Sequence, residues 1–113
     1  MQPVKVTVNG TGSCTPIFPD ICQNPFNILC VVSQNVATAT YSIEYMQDFS
    51  TAMSPRWNGT TATWIPHSGV NLATASFTTG NFQFPVAAIR LTVATSAATS
   101  VVTMNLIQSV NAP

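Results

Sequence analysis

The chain is 113 residues long, and only six of them are ionic: Lys5, Arg56, Arg90, Asp20, Glu44 and Asp48. Charged residues make up 5 % of the chain, against about 25 % in a typical soluble domain. Three scattered cations cannot grip a phosphate backbone, so nucleic acid is excluded as an expected partner.

The polarity comes from Ser, Thr, Asn and Gln, which supply 41 of the 113 residues. Thr and Val are abundant, as strands prefer, while the Lys and Glu that fill helix surfaces are nearly absent. The length predicts a single domain over residues 1–113. A formal net charge of zero weakens repulsion between copies, so self-association is expected. No uninterrupted apolar run approaches the ~20 residues of a membrane helix, and no membrane partner is expected. The opening M-Q-P-V-K-V-T-V-N-G lacks the charged-then-apolar pattern of a signal peptide.

In chain order, Pro3 to Val8 alternates Val4, Val6 and Val8 against Lys5 and Thr7, and reads as a strand closed by an Asn9-Gly10 turn. The N-G-T triplets at Asn9 and Asn58 read as turns rather than glycosylation sites. Residues 10–27 form an irregular arm. Its prolines, Pro16, Pro19 and Pro25, forbid a helix and disfavour a central strand. Because the arm carries Ile17, Phe18, Ile21 and Phe26, it should lie on something apolar, its own sandwich or a neighbour.

Ile28 to Ser33 is a continuous apolar run, expected as a strand covered on both faces or at one end of a sandwich core. Thr38 to Met46 alternates, with Tyr41, Ile43 and Tyr45 on one face and Thr40, Ser42 and Glu44 on the other. Gln47 to Gly59 reads as a loop, Ala62 to Ile65 as a short strand around Trp64, and Pro66 to Gly69 as a turn. Asn71 to Thr79 reads as a weak strand ended by Gly80-Asn81. Two alternating runs close the chain, joined by the short link Thr95 to Ser100. They predict a terminal β-hairpin. Its inner face would be Ile89, Leu91, Val93, Val102, Met104 and Leu106, and its outer face Arg90, Thr92, Thr103 and Asn105. The whole predicts an all-β antiparallel sandwich, jelly-roll-like, with a Pro-containing extended N-terminal arm.

Few residues offer chemistry. Cys14, Cys22 and Cys30 are odd in number and show no C-x-x-C pair, so they read as reduced thiols, with Cys30 a buried small hydrophobe; the alternative is a Cys14–Cys22 disulfide closing one loop. No metal or cofactor is expected. His67 is the single histidine, no G-x-S-x-G motif surrounds a serine, and no catalytic residue is assigned. Glu44 and Asp48 as a glycosidase pair compete with a wet-face Glu and a turn Asp. Glu44 is expected to pair with Arg90. The aromatics Trp57, Trp64, Phe77, Phe82 and Phe84 fall between Trp57 and Pro85. These rings serve either as core or subunit-interface anchors or as exposed platforms for sugars; with Phe18 of the arm, Trp57, Trp64, Phe82 and Phe84 are the candidate partner-binding residues, and Trp57 beside Arg56 is the best exposed candidate.

The succession Y-S-I-E-Y-M-Q-D-F (41–49), loop Trp57, G-N-F-Q-F-P-V-A-A-I-R-L-T-V-A-T-S (80–96) and S-V-V-T-M-N-L-I-Q-S (100–109) resembles the decoration (cement or stapling) proteins of short-tailed bacteriophages of the epsilon15 type. The resemblance spans residues 38–110, and its most specific piece is P-V-x-A-I-R-L-x-V followed by V-x-M-x-L-I-Q. It implies a virion protein on the outer surface of a phage head, assembled in the host cytoplasm. Such a protein clamps neighbouring major capsid proteins as a homodimer or homotrimer and needs no active site. The alternatives are a carbohydrate-binding β-sandwich and a phage tail or connector component.

Overall fold

A computed structural model describes residues 3–19, 27–35, 39–46, 64–84, 86–95 and 100–108. These residues form eight strands: β1 (Val4–Asn9), β2 (Gly12–Ser13), β3 (Ile28–Gln34), β4 (Thr40–Met46), β5 (Ile65–Pro66), β6 (Phe77–Phe82), β7 (Ala88–Thr95) and β8 (Val101–Gln108). Among the described residues there is no helix. The strands form two four-stranded sheets, ordered β1-β8-β3-β6 and β2-β7-β4-β5. Every pairing is antiparallel. The chain changes sheet at each link except that from β4 to β5, which is the strand order of a jelly roll.

The core lies between the sheets, and the alternating residues fill it from both sides. β8 contributes Val102, Met104 and Leu106, β7 contributes Ile89, Leu91 and Val93, and β4 contributes Tyr41 and Ile43. All the residues expected on the inner face of the last two runs are buried. Removing a Leu or Phe side chain from water in this way is worth roughly 1.5–3 kcal/mol.

The expected terminal hairpin is absent. β7 lies between β2 and β4 in one sheet, and β8 lies between β1 and β3 in the other. Alternation shows that each run has one buried face. It is silent on whether the two buried faces share a sheet or oppose each other across a core, and both arrangements satisfy it.

Two further expectations change. β6 runs through Gly80-Asn81 rather than ending there. Gly80 belongs inside the strand because a Cβ at that position would lie 3.2 Å from Ile43 Cδ1 and from Val70 Cγ2, so the glycine marks a close approach. Residues 71–76, assigned to the same weak strand, instead make a bridge at Ala73 to Tyr41. Of the two readings of Ile28 to Ser33, cover on both faces fails and the sandwich core stands: Ile28, Cys30 and Val32 are buried, and Leu29 is exposed.

The described part of the arm, residues 10–19, lies on its own sandwich, and Ile21 and Phe26 lie outside the described residues. Gly12 and Ser13 pair with Val93 and Thr92. Cys14 N–H donates to Leu91 O at 2.9 Å, and Ile17 exchanges both main-chain bonds with Ile89. Residues 12–17 thus extend the sheet as an edge, the place where proline is tolerated. The register slips by one residue between Cys14 and Ile17. There Leu91 N–H donates to Cys14 Sγ at 3.1 Å instead of to a carbonyl. Gly10 (φ 74°) turns the chain from one sheet to the other, a conformation glycine adopts without strain.

Candidate interaction surface

The outer face of the β1-β8-β3-β6 sheet is nearly uncharged. Its side chains follow from the register: Leu29 stands between Ile107 and Asn81, Val31 between Asn105 and Thr79, and Ser33 between Thr103 and Phe77. Among the described residues, Lys5, on the edge strand β1, is its one ionic group. Phe77 is 67 % exposed, Ile107 51 % and Leu29 45 %. Leu29 and Ile107 are direct cross-strand partners, so their exposed side chains form one apolar patch among hydroxyls and amides.

The outer face of the other sheet is a closed polar chain. Arg90 Nε–H donates to Glu44 Oε1 at 2.8 Å, Thr92 Oγ1–H donates to the same oxygen at 2.7 Å, and Ser13 Oγ lies 2.9 Å from Thr92 Oγ1. The expected Glu44–Arg90 pair is therefore present, placed directly across the strands. The Arg90 guanidinium stacks 4.3 Å from the centre of the Trp64 ring, a cation–π contact. Trp64 packs in turn on Met46, Ala87 and Ala88. These contacts use Glu44 structurally; Asp48, its proposed glycosidase partner, lies outside the described residues.

Of the expected binding aromatics, Phe82 and Phe84 meet. Phe82 is fully buried, which corrects its assignment as a surface contact. It faces the core because β6 continues past Gly80 and places Phe82 in phase with that glycine. Phe82 is instead the centre of an edge-to-face cluster, 5.4 Å from Tyr45, 5.9 Å from Phe84 and 4.8 Å from His67. Phe84, 39 % exposed, covers the cluster from outside. Phe18 is exposed on the arm, Trp64 is half-buried under Arg90, and Trp57 lies outside the described residues.

His67 joins the two sheets. Its Nε2–H donates to Asn81 O at 2.9 Å, and its Nδ1 accepts from Gly69 N–H at 3.0 Å. The two bonds select one neutral tautomer. Cys14 and Cys30 are free thiols; Cys22 lies outside the described residues. Burial pushes the Cys30 thiol up to about 12. Burial also raises Cys14, against the lowering effect of the Leu91 N–H. Among the described residues no three His, Cys, Asp or Glu side chains converge as metal ligands would.

Leu29 and Ile107 were legible but unread as surface contacts. Each is out of phase with its buried neighbours: Leu29 with Ile28 and Cys30, and Ile107 with Leu106 and Gln108. A strict count of period two would have exposed both.

No protein-family model matches the chain, and no curated protein matches it. Solved structures do. The chain is similar to the SPBc2 prophage-derived protein YomS, with 12 % identity and a TM-score of 0.54 over 96 % of each chain. A Bacillus endospore appendage chain, from appendages that form disulfide-linked pili, aligns with 14 % identity and a TM-score of 0.48 over 97 % of this chain and 88 % of that one. At 12 % identity the likeness to YomS is one of fold.

Proposed function

We propose that this protein is a structural subunit of a phage particle: a decoration protein that docks on the outside of a head and clamps neighbouring major capsid proteins as a homo-oligomer. The observation that carries this reading is the outer face of the β1-β8-β3-β6 sheet, with Leu29, Ile107 and Phe77 exposed on an otherwise hydroxyl- and amide-rich surface. Such a face suits a protein partner, because apolar anchors gain by burial while the neutral polar side chains hydrogen-bond without the cost of desolvating charges. Further support comes from the resemblance of residues 38–110 to decoration proteins and from the jelly-roll fold shared with a prophage-derived protein.

A clamp acts by many modest contacts at once. Each copy adds interface area between shell subunits, and avidity multiplies weak docking. The polar chain Ser13–Thr92–Glu44–Arg90 and the aromatic cluster around Phe82 hold the sandwich rigid behind the docking face. The test is mechanical: heads with and without the protein are heated, and release of packaged DNA is followed by dye fluorescence. Release at a lower temperature from heads without it supports the reading. Identical release curves defeat the clamp.

A further inference from the structure

Among the described residues the two sheets have four edges, and three of them carry a feature that blocks pairing with another strand. β1 carries Lys5. The β2 edge continues into Pro16 and Pro19 with a one-residue register slip. β5 is two residues long and ends in Pro66. Charges, prolines, bulges and brevity are the usual protections of an edge strand. β6, reading F-T-T-G-N-F, has none of them. Its register with β3 runs without a break from Ile28↔Phe82 to Ser33↔Phe77.

The hydrogen-bond pattern says which of its groups are open. Gln34 N–H donates to Ser76 O at 3.2 Å, and main-chain groups alternate sides along a strand. Thr78, Gly80 and Phe82 therefore turn their N–H and C=O groups to β3, while Phe77, Thr79 and Asn81 turn theirs to the free edge. Asn81 O is taken by His67. Phe77 and Thr79 are left, and both are exposed.

We propose that β6 pairs antiparallel with β6 of a second copy across a two-fold axis at Thr78, with Phe77 opposite Thr79 of the partner and Thr79 opposite Phe77. This register satisfies the open N–H and C=O groups of both residues in both copies, four main-chain bonds, and leaves the His67–Asn81 bond undisturbed. Both Phe77 rings then lie on the same outer face as diagonal neighbours, close enough for aromatic side chains to touch. The two outer faces join into one eight-stranded surface carrying both Leu29–Ile107 patches. A second copy fits because the edge is self-complementary and uncharged: no like charges meet across the axis, as a two-fold contact requires. The proposal gives the homo-oligomer of the preceding section a defined edge and limits it to a dimer, and it is testable without heads.

The pairing alone is smaller than a standard interface of about 1,600 Å², so association should be concentration-dependent, between roughly 10 µM and 1 mM. Sedimentation equilibrium of the full chain over that range should show mass rising from 12.0 kDa toward twice that value. Thr79→Pro removes one outward N–H and no internal bond, so it should stay monomeric with an unchanged melting temperature. Thr7→Pro, on the β1 edge, should dimerise like the parent. Phe77→Lys, at an exposed position, covers the case in which Thr79→Pro does not fold. It should also stay monomeric at low salt and recover association at high salt. A constant 12.0 kDa mass for the parent, a trimer, or variants at Phe77 and Thr79 that associate as the parent does would each overturn the proposal. Loss of the dimer only in Thr7→Pro would move the contact to β1 and overturn it too.

Discussion

Glu44 Oε1 accepts from Arg90 Nε–H at 2.8 Å and from Thr92 Oγ1–H at 2.7 Å, while the guanidinium of Arg90 lies over Trp64. One carboxylate oxygen thus ties β4 to β7 and fixes the arginine that covers an outward-facing tryptophan. The side chains of the pair are about a fifth to a quarter exposed, so its Coulomb energy is partly screened. A double-mutant cycle of Glu44→Gln and Arg90→Gln, read by urea denaturation, should give a coupling of about 0.5–1.5 kcal/mol. Trp64 fluorescence should change with Arg90→Gln, because the cation is in contact with the ring.

Gly80 is the point where β6 approaches the opposite sheet. A methyl group there meets Ile43 Cδ1 and Val70 Cγ2, both at 3.2 Å. Both neighbours are fully buried and have little room to yield. Gly80→Ala should therefore destabilise the fold by about 1–3 kcal/mol, despite alanine's lower conformational entropy. The check is its thermal or urea midpoint against that of the parent. An unchanged midpoint would mean that the core yields at this position.

Leu72 is the one non-glycine residue with positive φ among the described residues, at 54°. It is also 59 % exposed, so its side chain contributes little burial in return for the strain. Its N–H donates to Ser42 Oγ at 2.8 Å, which holds the backbone in place. Leu72→Gly should raise stability by about 0.5–1 kcal/mol, as relief of left-handed strain outweighs the added freedom of the unfolded chain. A midpoint below the parent's would contradict this.

Cys30 sets an alkaline limit. Its thiol rises from 9.0 to about 12 on burial. The unfolded chain therefore ionises this group between those values while the folded chain does not. The stabilising difference is intact below pH ~9 and is lost as pH rises toward ~12, at up to about 1.4 kcal/mol per pH unit. Cys30→Ala should lose that part of the slope in urea titrations from pH 8 to pH 11. Native Cys30 should also resist alkylation at pH 8 until the chain is unfolded.

The strands were largely legible, and their arrangement was not. Ile89, Leu91, Val93, Val102, Met104 and Leu106 all face the core as their spacing predicts. The same spacing misplaced β7 and β8 in one sheet, because period two reports a residue's side and never its partner strand. Gly80-Asn81 has the composition of a turn, but packing against Ile43 decided for a strand. Glu44 and Arg90 were readable as a pair because each lies on the polar side of a strongly alternating run. The surface was harder. Phe82 looked like an available aromatic and is core, while Leu29, inside a continuous apolar run, stands exposed. In both cases residue type suggested the environment, whereas strand phase determined it.

We propose that the outer face of the β1-β8-β3-β6 sheet docks on a capsid. Co-sedimentation of the labelled protein with heads stripped of it tests this directly, comparing the parent with a Leu29→Asp, Ile107→Asp double variant. Both positions are exposed, so the variant should keep the parent's circular dichroism and melting temperature. Binding should fall by at least ~10-fold, since two apolar anchors are lost and two charges must be desolvated. A folded double variant that binds heads as tightly as the parent would contradict the claim.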